Sequence, residues 1–135
     1  MKMVRVGFTG TRGGLTAEQH RDLVQFFTDH YDRISEWHHG DCVGADEESH
    51  ILAVHFLGVE KVFIHPPTDP KHRAWCKSPN MLPLAPYLER DRAIVDATDM
   101  LVGAPKAGKP APRSGTWYTI RYAKKQCRPV VELLA

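Results

Sequence analysis

No apolar stretch in this chain is long enough to span a bilayer, no run of like charges forms a tail, and no two cysteines stand at CxxC spacing. Each absence removes a class of function. The short apolar runs exclude a transmembrane helix. Met1-Lys2-Met3 leads straight into a strand-like run instead of a signal-peptide core, so a cytoplasmic protein that engages no membrane is expected. Eighteen Lys and Arg stand against sixteen Asp and Glu for a formal net charge of +2, which gives little support to nucleic-acid binding driven by net charge. Cys42, Cys76 and Cys127 are odd in number, which points to a reducing compartment and away from a zinc knuckle. Linkers and internal repeats are missing as well. A length of 135 residues is enough to bury a core without metal or disulfide, so a single domain over residues 1–135 is expected.

What is present is an alternation of short apolar runs with helical patterns. Strands are expected at residues 3–9, 35–39, 61–65, 100–103 and 129–134, all but the second largely apolar as strands buried on both faces tend to be. Helices are expected at 16–32, 45–57, 87–97 and 115–126. Thr16 with Gln19 spells a capping box, and Gly58 follows the second helix where a C-terminal glycine belongs. Residues 66–86 are rich in proline and lack periodicity, which predicts a long loop. Strands alternating with helices imply a three-layer α/β fold whose five-stranded sheet is mainly parallel, with helices on both faces.

In such a sheet, ligands sit beyond the carboxyl ends of the strands, where the strand order reverses. The first strand is followed there by Gly7-Phe8-Thr9-Gly10-Thr11-Arg12-Gly13-Gly14. Gly10 permits close backbone approach beside Thr11, and Arg12 offers a forked charge for phosphate. The spacing is not GxGxxG, so a dinucleotide fingerprint is not present. The second strand is followed by His39-Gly40-Asp41-Cys42-Val43-Gly44-Ala45-Asp46. Asp41 is suited to ribose hydroxyls, Gly40 and Gly44 frame the turn, and Asp46 is suited to capping the next helix. Ser114-Gly115-Thr116 reads as a phosphate-binding turn, with two hydroxyls and free N–H groups at a positive helix end.

Residues 103–110 nearly spell a P-loop, but Pro110 replaces the hydroxyl that would hold magnesium. P-loop ATP hydrolysis is therefore not expected, and Lys106 and Lys109 read as a basic flap above the site, or else as a plain solvated loop. Trp117 and Tyr118 suit either base stacking or the core. His38, His39, Asp41, Asp46, His50 and His65 approach one sheet edge, yet strand alternation sends His38 and His39 to opposite faces and no ligand spacing appears. No bound metal and no cofactor is expected. His65, before Pro66-Pro67, reads as a strand-end group facing the ligand or as a solvated loop residue.

Four ordered blocks, residues 7–12, 39–46, 89–92 and 114–116, resemble the SLOG superfamily, which unites the SMF/DprA proteins with the LOG phosphoribohydrolases. The resemblance implies a Rossmann-like sheet that binds a nucleotide or a nucleotide-derived phosphate ligand. It places Arg90 where LOG enzymes keep a catalytic arginine, and residues 112–116 where they have a phosphate-binding PGGxGT turn. There the LOG motif continues with acidic residues, whereas this chain has Trp117, Tyr118 and Thr119. A carboxylate for N-glycosidic cleavage would have to come from Asp41, Asp46 or Asp91. Arg90-Asp91-Arg92 also resembles the arginine-rich segment of DprA, adding Arg92 to the ligand set. Binding without hydrolysis is the first reading, a nucleoside 5′-monophosphate N-glycosidase the second, and a single-stranded nucleic-acid binder the third. The resemblance further implies a homodimer, with the 45–57 helix, Trp37 or Trp75 as interface candidates.

Overall fold

The computed structural model describes residues 2–106, 111 and 114–135. Lys109 of the basic flap and residues 112–113 of the PGGxGT-like segment lie outside the described residues. The order of elements is β1 (Val4–Gly10), α1 (Ala17–His30), β2 (Ile34–His39), α2 (Ala45–Leu57), β3 (Val62–Ile64), β4 (Asn80–Met81), α3 (Tyr87–Asp96), β5 (Met100–Ala104), α4 (Gly115–Lys125) and β6 (Val130–Glu132).

The six strands form one sheet in the order β4-β3-β2-β1-β5-β6. Every pairing is parallel. The expected five-stranded sheet is therefore corrected to six. The extra strand, β4, lies inside the proline-rich stretch expected to be loop. It pairs Asn80 with Phe63 and Met81 with Ile64, and the Asn80 amide donates to the carbonyls of Glu60 and Val62 at 2.8 and 3.2 Å. Two residues pinned by a side chain are too short to show any period.

Local chemistry sets the element ends. Gln19 N–H donates to Thr16 Oγ1 and Thr16 N–H to Gln19 Oε1, each at 3.0 Å, completing the capping box of α1. Gln19 also donates from Nε2 to the carbonyls of Pro105 and Leu133, tying α1 to the ends of β5 and β6. The core on one face of the sheet is aromatic. Phe27 and Trp37 lie 4.6 Å apart between ring centroids and Phe8 stacks on Trp37 at 5.7 Å. Trp37, named above as an interface candidate, is wholly buried in this core. Ile94, Val95, Leu101, Ile120 and Ala123 form a second cluster around α3 and α4. Among the described residues, no helix is long and apolar enough to cross a membrane.

From β1 the chain builds the sheet outward through β2, β3 and β4, then returns to place β5 and β6 on the other side of β1. The reversal of strand order thus falls at β1, and the loops beyond its carboxyl end frame the site.

Candidate ligand-binding cleft

A cleft of about 1060 Å³ opens beyond the carboxyl ends of β1 and β2. Its lining includes the loop from Gly10 to Gly13 and the first turns of α2, α3 and α4. Helix starts carry unpaired N–H groups and positive dipole ends, so three of them on one cavity favour an anion.

The loop after β1 is built onto the start of α2. Thr11 O accepts from the N–H groups of Gly14 at 3.1 Å and Ala45 at 3.0 Å, and Leu15 N–H donates to Glu48 Oε1 at 2.9 Å. Gly44 adopts φ +92°, a conformation L side chains rarely take, and a Cβ there would strike the carbonyl of Arg12. This seam fixes the backbone under Arg12, whose exposed side chain has no hydrogen bond or ion pair among the described residues. On the opposite wall Ser114 Oγ caps α4 by accepting from Trp117 N–H at 3.3 Å. The N–H groups of the first turn are left without helical partners.

Arg90, in α3, forms the floor. Its Nη1 donates to the carbonyl oxygens of Gly40 and His65, its Nε donates to Asp91 Oδ1 at 2.8 Å, and its Nη2 approaches Cys42 Sγ at 3.7 Å. Gly40 admits this guanidinium, since a Cβ there would overlap it. Burial acts to lower the Arg90 pKa, but Asp91 and Asp46 outweigh it and hold the group charged, above its ordinary value. Burial pushes the Asp46 carboxyl up to about 7, against the pull of Arg90 and of the Cys42 N–H that donates to it. Burial likewise raises Asp91, opposed by Arg90 and the Thr119 hydroxyl. Two cleft carboxyls are thus biased toward the neutral form beside a fixed cation.

The structure brings Gly10, Thr11, Arg12, Gly40, Asp46, Arg90, Ser114, Gly115 and Thr116 onto this one cleft. Four other residues named from sequence do not line it. Asp41, wholly buried, accepts instead from Arg73 Nε and Cys76 N–H. Gly44 shapes the loop from behind. The His65 ring meets His38 Nδ1 at 2.7 Å, and burial pushes its pKa down to about 3. Arg92 donates to Tyr118 Oη at 2.8 Å on the flank of α3 and α4. Cys42, Val43, His72, Tyr87 and Leu88 line the cleft without having been singled out as ligand contacts. Tyr87 and Leu88 open a helix that the sequence pattern does show, whereas His72 sits in the aperiodic stretch, where no local pattern marks it.

No protein-family model matches the chain, and no curated protein matches it in sequence. Solved structures share its fold. DNA processing protein A from Helicobacter pylori, known for a single-stranded DNA binding mode, aligns over 97% of this chain with a TM-score of 0.67 and 15% identity. The chain spans 65% of the length of that protein. The molybdenum cofactor binding protein from Rippkaea orientalis aligns over 98% of this chain and 77% of its own, with a TM-score of 0.65 and 15% identity. The structural-genomics protein TM1055 aligns over 96% and 72%, with a TM-score of 0.65 and 17% identity. At these identities the likeness is one of fold.

Proposed function

We propose that the chain is a SLOG-type protein that binds a nucleotide or nucleotide-derived phosphate ligand in the cleft beyond β1 and β2. The observation that carries this reading is the convergence of the first turns of α2, α3 and α4 on a cavity that also holds the unpaired Arg12. In the reading the phosphate lies at Ser114, Gly115 and Thr116, within reach of Arg12 and Lys106. The base lies against Tyr87, Leu88 and Val43, the apolar part of the lining. Solved proteins of this fold bind single-stranded DNA and a molybdenum cofactor, so the ligand is argued from the site and not from the fold.

Gly115→Asp tests the placement. Gly115 is exposed, and a Cβ there has only ordinary contact with Asp91 Oδ2 at 3.8 Å, so the variant has room. An acid in the first turn also suits the helix dipole. Calorimetric titration with nucleoside 5′-monophosphates is expected to show affinity lost while thermal unfolding is unchanged. Unchanged affinity puts the phosphate elsewhere.

One observation favours a second reading, a nucleotide N-glycosidase. Asp46, with its pKa raised to about 7, and Asp91 stand on the cleft floor beside Arg90, the kind of perturbed pair that acid–base chemistry uses. Chromatographic detection of free base from nucleoside 5′-monophosphates, abolished by Asp46→Asn or Asp91→Asn, would establish it. Saturable binding without release leaves the first reading standing.

A further inference from the structure

Behind the cleft floor, three residues far apart in sequence meet. His39 closes β2, His50 lies in α2, and Cys76 comes from the stretch before β4. One ligand atom of each lies within 4.8 Å of the other two. His39 Nε2 and His50 Nδ1 face each other at 2.9 Å. We propose that His39, His50 and Cys76 form a binding site for a borderline-soft divalent cation of the zinc type.

The donor set is the first support. Two imidazole nitrogens and a cysteine sulfur, which gives up its proton to solvent when the cation binds, suit zinc, whereas a hard cation such as magnesium selects oxygen ligands. Spacing is the second support. Bonds of about 2.0 Å to nitrogen and 2.3 Å to sulfur in a tetrahedral centre place ligand atoms about 3.3 to 3.6 Å apart. His39 Nε2 and His50 Nδ1 lie 2.9 Å apart and all three ligand atoms lie within 4.8 Å of one another, which brackets that spacing. Outer partners and access complete the site. Asp41 Oδ1 accepts the N–H of Cys76 at 2.9 Å and so holds that residue's backbone in place. His39 is wholly enclosed, whereas Cys76 is only half-buried and gives a cation a way in.

Binding there has a structural consequence. Asp41 N–H donates to His39 Nδ1 at 3.0 Å, so the neutral His39 ring carries its proton on Nε2 and donates it to His50 Nδ1. A cation at Nε2 replaces the hydrogen bond between the rings, and the ring then keeps its proton on Nδ1, where the Asp41 N–H now points. Loading therefore breaks the Asp41 N–H bond to His39 and shifts that stretch of main chain, while the Asp41 carboxylate keeps Cys76; the Asp41 carbonyl accepts from Ala74 N–H at 2.7 Å next to Trp75. Trp75 is 60% exposed, with Arg73 stacked on its ring at 4.0 Å. The part of the tryptophan emission change that Trp75→Phe removes reports this movement, apart from Trp37 and Trp117.

This site stands independently of the nucleotide reading. The test is titration of the reduced full chain with cobalt(II) chloride, followed by zinc(II) chloride. Cobalt is expected to bind at one equivalent with thiolate-to-metal charge-transfer absorption, zinc to displace it, and tryptophan emission to change over the same range. Cys76→Ser is expected to abolish the charge-transfer absorption, and Cys127→Ser to leave it intact. His50→Gln, a second variant in case Cys76→Ser does not fold, is expected to weaken binding by at least about tenfold. No charge-transfer absorption in the wild type, absorption that survives Cys76→Ser, or wild-type affinity in His50→Gln each overturns the proposal.

Discussion

Asp41 Oδ2 accepts a hydrogen bond from Arg73 Nε at 2.8 Å, joining the turn after β2 to the aperiodic segment before β4. Asp41 Oδ1 takes the Cys76 N–H at 2.9 Å and its backbone carbonyl takes the Ala74 N–H at 2.7 Å. Two of the three non-glycine residues with positive φ among those described, Asp41 at +58° and Trp75 at +60°, lie one in each of the two segments that this clamp joins. Such conformations persist only where surrounding bonds enforce them.

Asp41→Ala is therefore expected to destabilise the fold instead of only weakening a ligand. It leaves the mostly buried Arg73 guanidinium and the Cys76 N–H without their acceptor, a loss on the order of 3 kcal/mol or more. Denaturant unfolding measures the cost, and a loss below about 1 kcal/mol, the scale of an exposed ion pair, would show that the clamp carries little.

Asp46 predicts a pH dependence of definite sign. Its folded pKa is raised from the ordinary 3.8 to about 7 by burial. Between those values the folded chain holds a proton that the unfolded chain has released, so this group's contribution falls as pH rises from about 4 to about 7. His38 and His65, whose pKa values burial lowers, act in the opposite sense, their contribution being lost as pH falls through about 6.5. The readout is accordingly the difference between wild type and Asp46→Asn in urea unfolding across that range. Asp46→Asn is expected to gain stability relative to wild type as pH rises toward about 7, by roughly 1.4 kcal/mol for each unit of pKa difference. A pH-independent difference would place the Asp46 pKa at its ordinary value.

The limits of the sequence follow from what each element depends on. β1 and β5 are legible because largely apolar runs mark strands buried on both faces, and α1 because Thr16 and Gln19 cap it locally. β4 is illegible because its pairing rests on the Asn80 side chain reaching carbonyls of another segment. In the site, Gly10, Gly40 and Gly44 leave a trace, since a Cβ at each would collide with Ala45, Arg90 and the Arg12 backbone respectively. Ser114 leaves one as an N-cap. His72 reaches the cleft through tertiary packing that no local pattern encodes. Asp41 misleads for a related reason. An aspartate tolerates positive φ better than most residues, but nothing local marks that it adopts it, and here it accompanies a carboxylate turned to Arg73 and Cys76 instead of the cleft.

Arg12 and Arg90 both line the cleft, and their surroundings predict opposite phenotypes. Arg90 is enclosed, with its donors committed to the carbonyls of Gly40 and His65 and to Asp91. Arg90→Ala strands those acceptors and leaves Asp91 facing buried Asp46 without the intervening cation. A stability loss of about 3 to 5 kcal/mol is expected, the range for breaking a buried ion pair. Arg12 is exposed and without a partner among the described residues, so Arg12→Ala is expected to leave unfolding unchanged within about 0.5 kcal/mol. Its cost should fall on the ligand. Loss of one charge-assisted contact to phosphate, about 1.5 to 3 kcal/mol, corresponds to roughly ten- to hundredfold weaker binding. Paired denaturation and nucleotide titration of the two variants check the division. If Arg12→Ala binds nucleoside monophosphates as tightly as wild type, the exposed arginine is a solvated loop residue and the phosphate is held by the helix starts alone.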